Sequence, residues 1–158
     1  KAFEDHKKGL CTYEVEQVVL AIVVTTGIAS IFLTKDFTPD YNSGLAHAVF
    51  YALTSYPVIE EKHLHGEVVG FGVLLALLVD GQYEEFEKVY ALNKEIGLPI
   101  SLEEIEITKE QWEESMNRIP DMSDVAHYPY KVTKEMLEDA MNRLKARVKE
   151  DAADGERK

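Results

Sequence analysis

The sequence lacks the features that mark several large classes of protein. Its 158 residues include one cysteine, Cys11, so no internal disulfide can form, and this excludes a disulfide-stabilised secreted scaffold. We expect Cys11 to be a packed, unreactive thiol, because free cysteine is among the most buried residue types. There is no glycine-rich loop of the GxGxxG or GxxxxGK type, and hence no recognisable phosphate-binding turn.

Basic residues are also scarce relative to acidic ones. Lys and Arg together number 17 against 29 Asp and Glu, which gives a formal net charge of −12. An acidic surface repels phosphate backbones and anionic lipid headgroups, so neither a nucleic acid nor a membrane is expected as a partner. The first ten residues mix acidic and basic side chains and show no signal peptide, which favours a cytoplasmic location. Because the chain does not begin with Met, we expect it to be a piece of a longer protein.

One long uncharged stretch needs an explanation. Residues 18–33 contain no charged side chain, but they number 16, fewer than the roughly 20 needed to cross a bilayer. Thr25, Thr26, Gly27 and Ser30 also dilute the stretch. The pattern therefore predicts a helix buried on nearly all sides within the domain.

The remaining pattern is helical almost throughout, with no strand alternation and no repeat. It predicts an all-α domain over residues 1–150 and a charged, frayed tail over 151–158. Gly97 and Pro99 end one predicted helix, and Ser101 with Glu104 has the spacing of a capping box that opens another. The predicted helices, about seven, cover residues 13–33, 45–55, 60–79, 82–96, a short segment from 101, 108–118 and 133–149, with loops at 34–44 and 120–132.

Two of the five histidines lie in apolar surroundings, His47 in SGLAHAVFYAL and His65 in KHLHGEVVGFG. A buried imidazole needs a partner for its nitrogens, and a metal ion is one such partner. A lone histidine of this kind is more often a hydrogen-bonded residue than a metal ligand, so spacing alone leaves both readings open. His63 is two residues from His65 and faces another direction on a helix. We also expect Gly66, Gly70 and Gly72 to form one face that admits a ligand or a closely packed helix.

The segment that contains both histidines, residues 44–81, resembles the metal-binding stretch of the iron-containing alcohol dehydrogenase superfamily. The glycerol dehydrogenase branch is the most similar, with an AHA motif on an apolar helix followed by HGE at the start of a second, glycine-containing helix. Two later segments, residues 89–105 with a GLP turn and residues 124–144 with VT before a last helix, are also similar to this family. The resemblance extends in order over nearly the whole chain.

The resemblance implies the fold of the helical C-terminal domain of dehydroquinate synthase and iron alcohol dehydrogenases, without the N-terminal nucleotide-binding domain. It implies a divalent metal held by His47, His65 and an upstream aspartate, which polarises the hydroxyl of a small alcohol, polyol or hydroxy acid. NAD would be bound by the missing domain, and the chain alone would be inactive. Glu67 and His63 would lie beside the ligands, and His127 near the cleft.

This sequence departs from the family pattern at two points. Iron-dependent members carry a further histidine three residues after the first ligand, where this chain has Phe50, so the resemblance implies zinc more than iron. Asp5 and Asp36 are available carboxylates, but neither has the family context of the third ligand. We therefore leave that ligand unassigned.

Two other functions remain open. The chain could be a non-catalytic helical module derived from such an enzyme, with residues 18–33 covered by a partner. A homo-oligomer is expected under this hypothesis and under the enzyme hypothesis. An unrelated di-iron bundle would need repeated Glu-x-x-His pairs, and only Glu60 with His63 has that spacing.

Overall fold

A computed structural model of the protein describes residues 1–34 and 43–155. The chain divides into two compact units, Lys1–Asn42 and Ser43–Lys158, and each is described by itself. All regular elements in the described ranges are helices, with no strand, which confirms the predicted all-α class. The domain predicted over residues 1–150 stays a prediction.

The first unit consists of a short helix and one long helix. Helix α1 spans Ala2–Lys7. Helix α2, Tyr13–Leu20, continues through a π-helical turn, Ala21–Thr25, into α3, Thr26–Leu33. The helix predicted over 13–33 is therefore present, and a wider π turn interrupts it where Thr25 and Thr26 interrupt its apolar run.

The second unit is built around one apolar helix. Helices α4 (Leu45–Leu53), α5 (Pro57–Lys62), α6 (His65–Val79), α7 (Tyr83–Ile96), α8 (Lys109–Arg118) and α9 (Lys134–Gly155) follow in order. Helix α6 packs against α4, α7 and α9, which explains why its sequence is apolar on every side. The largest fully buried side chains of the core are Trp112, Tyr90, Phe71, Leu45, Leu53, Ile59, Leu74, Leu75, Ile105, Ile119, Leu137 and Leu144.

Several predicted boundaries in this unit were wrong. The helix predicted over 60–79 is two helices, because His63 and Leu64 adopt extended backbone angles and Glu67 caps the new helix by accepting the Leu64 N–H at 3.0 Å. The segment after Ser101 is a series of turns and not a helix, although the Glu104 N–H does reach the Ser101 hydroxyl at 3.2 Å. The loop predicted over 120–132 contains two 3₁₀ turns, Ile119–Asp121 and Ser123–Val125.

The last helix is longer than predicted. It runs to Gly155, into the tail expected to fray over 151–158, of which residues 156–158 lie outside the described residues. Asp151 explains the difference, because its carboxylate accepts a bond from the Lys94 ammonium at 2.5 Å and from the Tyr90 hydroxyl at 3.3 Å. These two contacts bind the end of α9 to α7.

The predicted burial of the long helix in the first unit was wrong. None of the apolar window within Tyr13–Phe32 is buried, and side chains such as Val23 and Ile31 are 67% and 70% exposed. This helix has 20 residues, so length and composition are sufficient for a membrane span, contrary to the argument from 16 uncharged residues. The helix lies near the N-terminus, where a signal sequence has the same length and composition, so a membrane span does not follow from these two properties. Cys11 is likewise exposed and not packed.

Candidate metal site

A close approach of two helices positions the candidate site. A side-chain carbon added at Gly72 of α6 would lie 2.6 Å from the Ala46 carbonyl oxygen and 2.8 Å from the Ala46 Cα of α4. Only glycine permits this backbone contact. Ala46 immediately precedes His47, so the contact sets how close the first turn of α4 lies to α6.

The structure brings the two predicted ligand histidines together. The His47 and His65 rings have centroids 5.5 Å apart and planes inclined at 44°. Two imidazoles bound to one tetrahedral zinc through nitrogen have ring centres roughly 5 Å apart, because each Zn–N bond is about 2.0–2.1 Å. The separation of the rings therefore suits a shared metal ion.

Phe50 lies against this pair. Its ring meets the His65 ring edge-on at 4.3 Å between centroids. Phe50 is one turn after His47 on α4, which is why an aromatic side chain there reaches the same place. The ring adds an apolar wall and no metal-binding atom at the position where iron-dependent family members have a further histidine.

His47 lies in a setting that favours the neutral imidazole. Partial burial, and then the neighbouring His65, lower the pKa of His47, while the Asp124 carboxylate raises it to a smaller extent. A neutral imidazole is the form that binds a metal. Asp124 belongs to the 3₁₀ turn Ser123–Val125, which packs on α4.

His63 and Glu67 form a separate contact on another side of α6. The His63 Nδ1 is 3.5 Å from the Glu67 carboxylate, which also caps α6 through Leu64, and its Nε2 is 3.9 Å from Glu106. These contacts favour the helix-capping role of Glu67, the alternative to a bond with a ligand histidine. A cavity of about 500 Å³ borders His63 and Glu67, and neither His47 nor His65 lines it.

His127 is exposed and lies in the segment between the 3₁₀ turns and α9. The next residue, Tyr128, contacts the start of α4. The Tyr128 hydroxyl accepts a bond from the backbone N–H of Leu45 at 3.4 Å, two residues before His47. Neither Tyr128 nor Asp124 could be identified from the sequence, because they lie in a segment without periodicity and reach α4 only through the tertiary fold.

The residues present fit part of a metal site. Two imidazoles are in place, but in residues 1–34 and 43–155 no three side chains of the His, Cys, Asp and Glu types are grouped to hold a metal. Asp36 lies outside the described residues. Asp5 is described, and its carboxylate accepts a bond from the Thr12 hydroxyl at 2.9 Å.

The glycines of α6 do not form one open face as predicted. Gly72 packs on the Ala46 backbone of α4, whereas Gly70 points toward Leu98, whose Cδ1 would lie 3.4 Å from an added side-chain carbon. An added carbon at Gly66 would meet nothing within 4 Å. Two of the three glycines therefore serve helix packing on different sides, and the reading of Gly66 as a close backbone approach was wrong.

Comparisons with known proteins show the same family throughout. A glycerol dehydrogenase from Pseudomonas putida is 36% identical over 107 residues, 61% of this chain and 29% of that enzyme. Glycerol dehydrogenase 1 of Schizosaccharomyces pombe is 30% identical over 109 residues, 67% of this chain and 22% of that protein. A glycerol dehydrogenase from Thermotoga maritima is 46% identical over 63 residues, 38% of this chain and 16% of that protein.

The chain is a relative of the glycerol dehydrogenases. The predicted resemblance to this branch of the iron-containing alcohol dehydrogenase superfamily is thereby confirmed, and the chain is a dehydrogenase-related helical domain. The crystal structure of a probable glycerol dehydrogenase from Sinorhizobium meliloti matches 89% of this chain and 38% of that one, with a TM-score of 0.66 and 23% identity, which supports the fold.

The matches cover only part of each relative, so the properties of a whole enzyme do not transfer to this chain from them. No family model matches the chain. The matched segments cover between 16% and 29% of these three curated relatives. The activity, substrates and partners of a whole enzyme are therefore matters of proposal for this glycerol dehydrogenase relative.

Proposed function

We propose that this chain supplies the metal-binding helical part of an NAD-dependent dehydrogenase that oxidises glycerol, another polyol or a small hydroxy acid. The observation that carries the proposal is the placement of His47 and His65, whose ring centroids lie 5.5 Å apart on two helices. The glycerol dehydrogenase relatives support the class of substrate. We expect the chain alone to be inactive, because NAD would be bound outside this chain.

The imidazoles of His47 and His65 would hold a divalent metal through neutral nitrogens, and an aspartate outside the described site would complete the set. Bound there, the metal would supply Lewis-acid polarisation of the substrate hydroxyl, which lowers the pKa of that hydroxyl. NAD, held by another part of the protein, would supply the hydride acceptor for the carbon that bears this hydroxyl.

The chain's own side chains prepare this chemistry. The lowered pKa of His47 keeps its imidazole unprotonated and able to donate an electron pair. The Phe50 ring packs edge-on against the His65 ring, whose residue is otherwise exposed to solvent. Zinc suits this setting better than iron, because zinc accepts a tetrahedral set of few ligands and Phe50 contributes none.

The intact protein on this proposal is a cytoplasmic homo-oligomer. Its partners are a small alcohol or polyol and a nucleotide-binding domain, with no nucleic acid and no membrane. The net charge of −12 argues against a nucleic acid and against an anionic lipid surface, because it repels phosphates. The relatives, as glycerol dehydrogenases, support the small polyol.

The test uses the full-length protein with its metal. The variants are His47→Ala and His65→Ala, and the matched control is His6→Ala, an exposed histidine in the first unit. Metal content is measured by mass spectrometry after dialysis, and NAD-linked oxidation of glycerol is measured beside it. We expect both to be lost in the two site variants and kept in the control. Retention of metal and activity in both site variants would overturn the proposal.

A second candidate function rests on a separate observation, the exposed apolar helix of the first unit. Exposed apolar patches of this kind mark interaction sites. In this alternative the chain is a non-catalytic helical module, derived from such an enzyme, that self-associates through residues 18–33.

The oligomeric state of suitable variants tests this alternative. Val23→Lys with Ile31→Lys places two charges on the exposed helix, and Asn117→Lys with Asn142→Lys places the same charges on exposed positions of α8 and α9. Light scattering after size exclusion should show a smaller species for the first pair alone. An unchanged oligomer in the first pair, or equal dissociation in both, would refute association through this helix.

A further inference from the structure

We propose that Tyr128 is a positioning residue for the metal site, because it fixes the first turn of α4 and thereby the direction of the His47 imidazole. The inference rests on the proposed function, since it concerns the geometry of the same two histidines. Tyr128 comes from the segment between the 3₁₀ turns and α9, 83 positions from Leu45, so only the tertiary fold brings it to α4.

Two contacts join Tyr128 to the start of α4. Its hydroxyl accepts the Leu45 N–H at 3.4 Å, and this N–H is one of those that a helix leaves without an internal partner. Its ring lies beside Gly44, where an added side-chain carbon would sit 3.6 Å from the Tyr128 Cε2. The Tyr128 side chain thus holds both the residue before the helix and the first residue within it.

The same turn is held from its other side by α6. Gly72 contacts the Ala46 backbone so closely that no side chain fits between them. The backbone before His47 is therefore held on one side by Tyr128 and on the other by Gly72. A clamped turn fixes where the His47 side chain leaves the backbone, which a metal site needs because ligand geometry must be held closely.

A neighbouring tyrosine provides a contrast. Tyr130 packs edge-on against Tyr128 with centroids 5.6 Å apart, but its hydroxyl donates to the Asp80 carboxylate at the end of α6. Asp80 directly follows the last residue of α6, at the opposite end from His65, so this bond attaches the segment at a place away from the turn that carries His47. Loss of the Tyr128 hydroxyl should therefore affect the turn that carries His47, whereas loss of the Tyr130 hydroxyl should affect only the attachment of the segment to α6.

The experiment compares Tyr128→Phe, Tyr128→Ala and Tyr130→Phe in the full-length protein. Zinc affinity is measured by competition with a chelator, the cobalt-substituted visible spectrum reports ligand geometry, and thermal melting reports stability. We expect Tyr128→Phe to weaken zinc binding about three- to tenfold, the effect of one neutral hydrogen bond, and to change the cobalt spectrum. Tyr128→Ala should weaken binding further, while Tyr130→Phe should lower the melting temperature and leave affinity and spectrum unchanged.

The outcomes distinguish this inference from the proposed function. If His47→Ala and His65→Ala leave zinc affinity unchanged, the metal site itself is wrong. If those variants lose zinc while Tyr128→Phe and Tyr128→Ala keep the wild-type affinity and cobalt spectrum, the positioning role is refuted. Equal losses in Tyr128→Phe and Tyr130→Phe would also refute it, because they would reflect stability alone.

Discussion

Two apolar helices of this molecule have opposite environments. Helix α6, His65–Val79, buries Val68, Phe71, Leu74, Leu75 and Leu78 among α4, α7 and α9. The helix Tyr13–Phe32 is apolar over a greater length, and none of that window is buried. The comparison teaches that an uncharged apolar sequence indicates that a helix needs covering and does not indicate what covers it. Part of the covering of α6 is local in sequence, because α4 and α7 lie near it along the chain, and the rest comes from the distant helix α9.

The largest expected difference between the two helices is in the cost of shortening an aliphatic side chain to alanine. Leu75→Ala removes a side chain with no exposure and should lower the free energy of unfolding by about 2.7–5 kcal/mol. Val23→Ala, at 67% exposure, should change it by less than about 0.5 kcal/mol. In denaturant, fluorescence of Trp112, the single tryptophan and a core residue, follows unfolding of the second unit for Leu75→Ala, and the helical circular dichroism signal follows unfolding of the first unit for Val23→Ala. A loss above about 2 kcal/mol in Val23→Ala would mean that the first helix is covered after all.

A pair of glycines on α6 tests how closely the second unit is packed. Gly72→Ala forces a carbon against the Ala46 backbone and should cost about 1–3 kcal/mol, the range for overpacking. Gly66→Ala meets nothing within 4 Å and should stabilise the helix by up to about 1 kcal/mol. Opposite signs of the two changes in the free energy of unfolding, measured by Trp112 fluorescence, would support the close packing of α6 on α4. Equal effects would show that α4 and α6 do not touch at Ala46.

Much of the fold was predictable from local chemistry. The capping box of Thr108 with Gln111 and the glycine stop at Gly97 are encoded within a few residues, and the structure has both. The break at His63 and Leu64 was missed because the apolar run continues across it and only the Glu67 carboxylate marks a new start. The extension of α9 was missed because it depends on Asp151 meeting Lys94, which is 57 positions away.

The sequence was sufficient to predict the two candidate ligands, but not the residues that contact the helix carrying His47. His47 and His65 were identified from apolar surroundings and from the family resemblance, and the structure places their rings side by side. Tyr128 and Asp124 reach α4 through the tertiary fold alone, so no period or spacing could indicate them. Gly72 was noticed as an open position, but its neighbour Ala46 could be found only in the folded chain.

A smaller effect on stability is expected from helix capping, which differs between two helices that both follow a threonine. Thr108 precedes α8, and its hydroxyl accepts the Gln111 N–H at 3.2 Å. Thr12 precedes α2, but its hydroxyl donates to Asp5 and makes no cap. Thr108→Ala should therefore lower the Trp112-monitored stability by about 1 kcal/mol, while Thr12→Ala leaves that transition unchanged. Equal shifts would indicate that the two units unfold as one.

The smallest expected effect concerns pH and the metal-free protein. Burial and the nearby His65 lower the pKa of His47 in the folded state, so the unfolded chain takes up a proton at this residue more readily. The corresponding stability is complete above about pH 6.5, the ordinary pKa of histidine, and is lost as the pH falls toward the lowered folded value. His47→Gln should therefore flatten the acid side of the Trp112-monitored stability profile. A profile with the same slope in wild type and variant, or an NMR titration of His47 at or above its ordinary pKa, would contradict the partly buried, neutral imidazole on which the metal site depends.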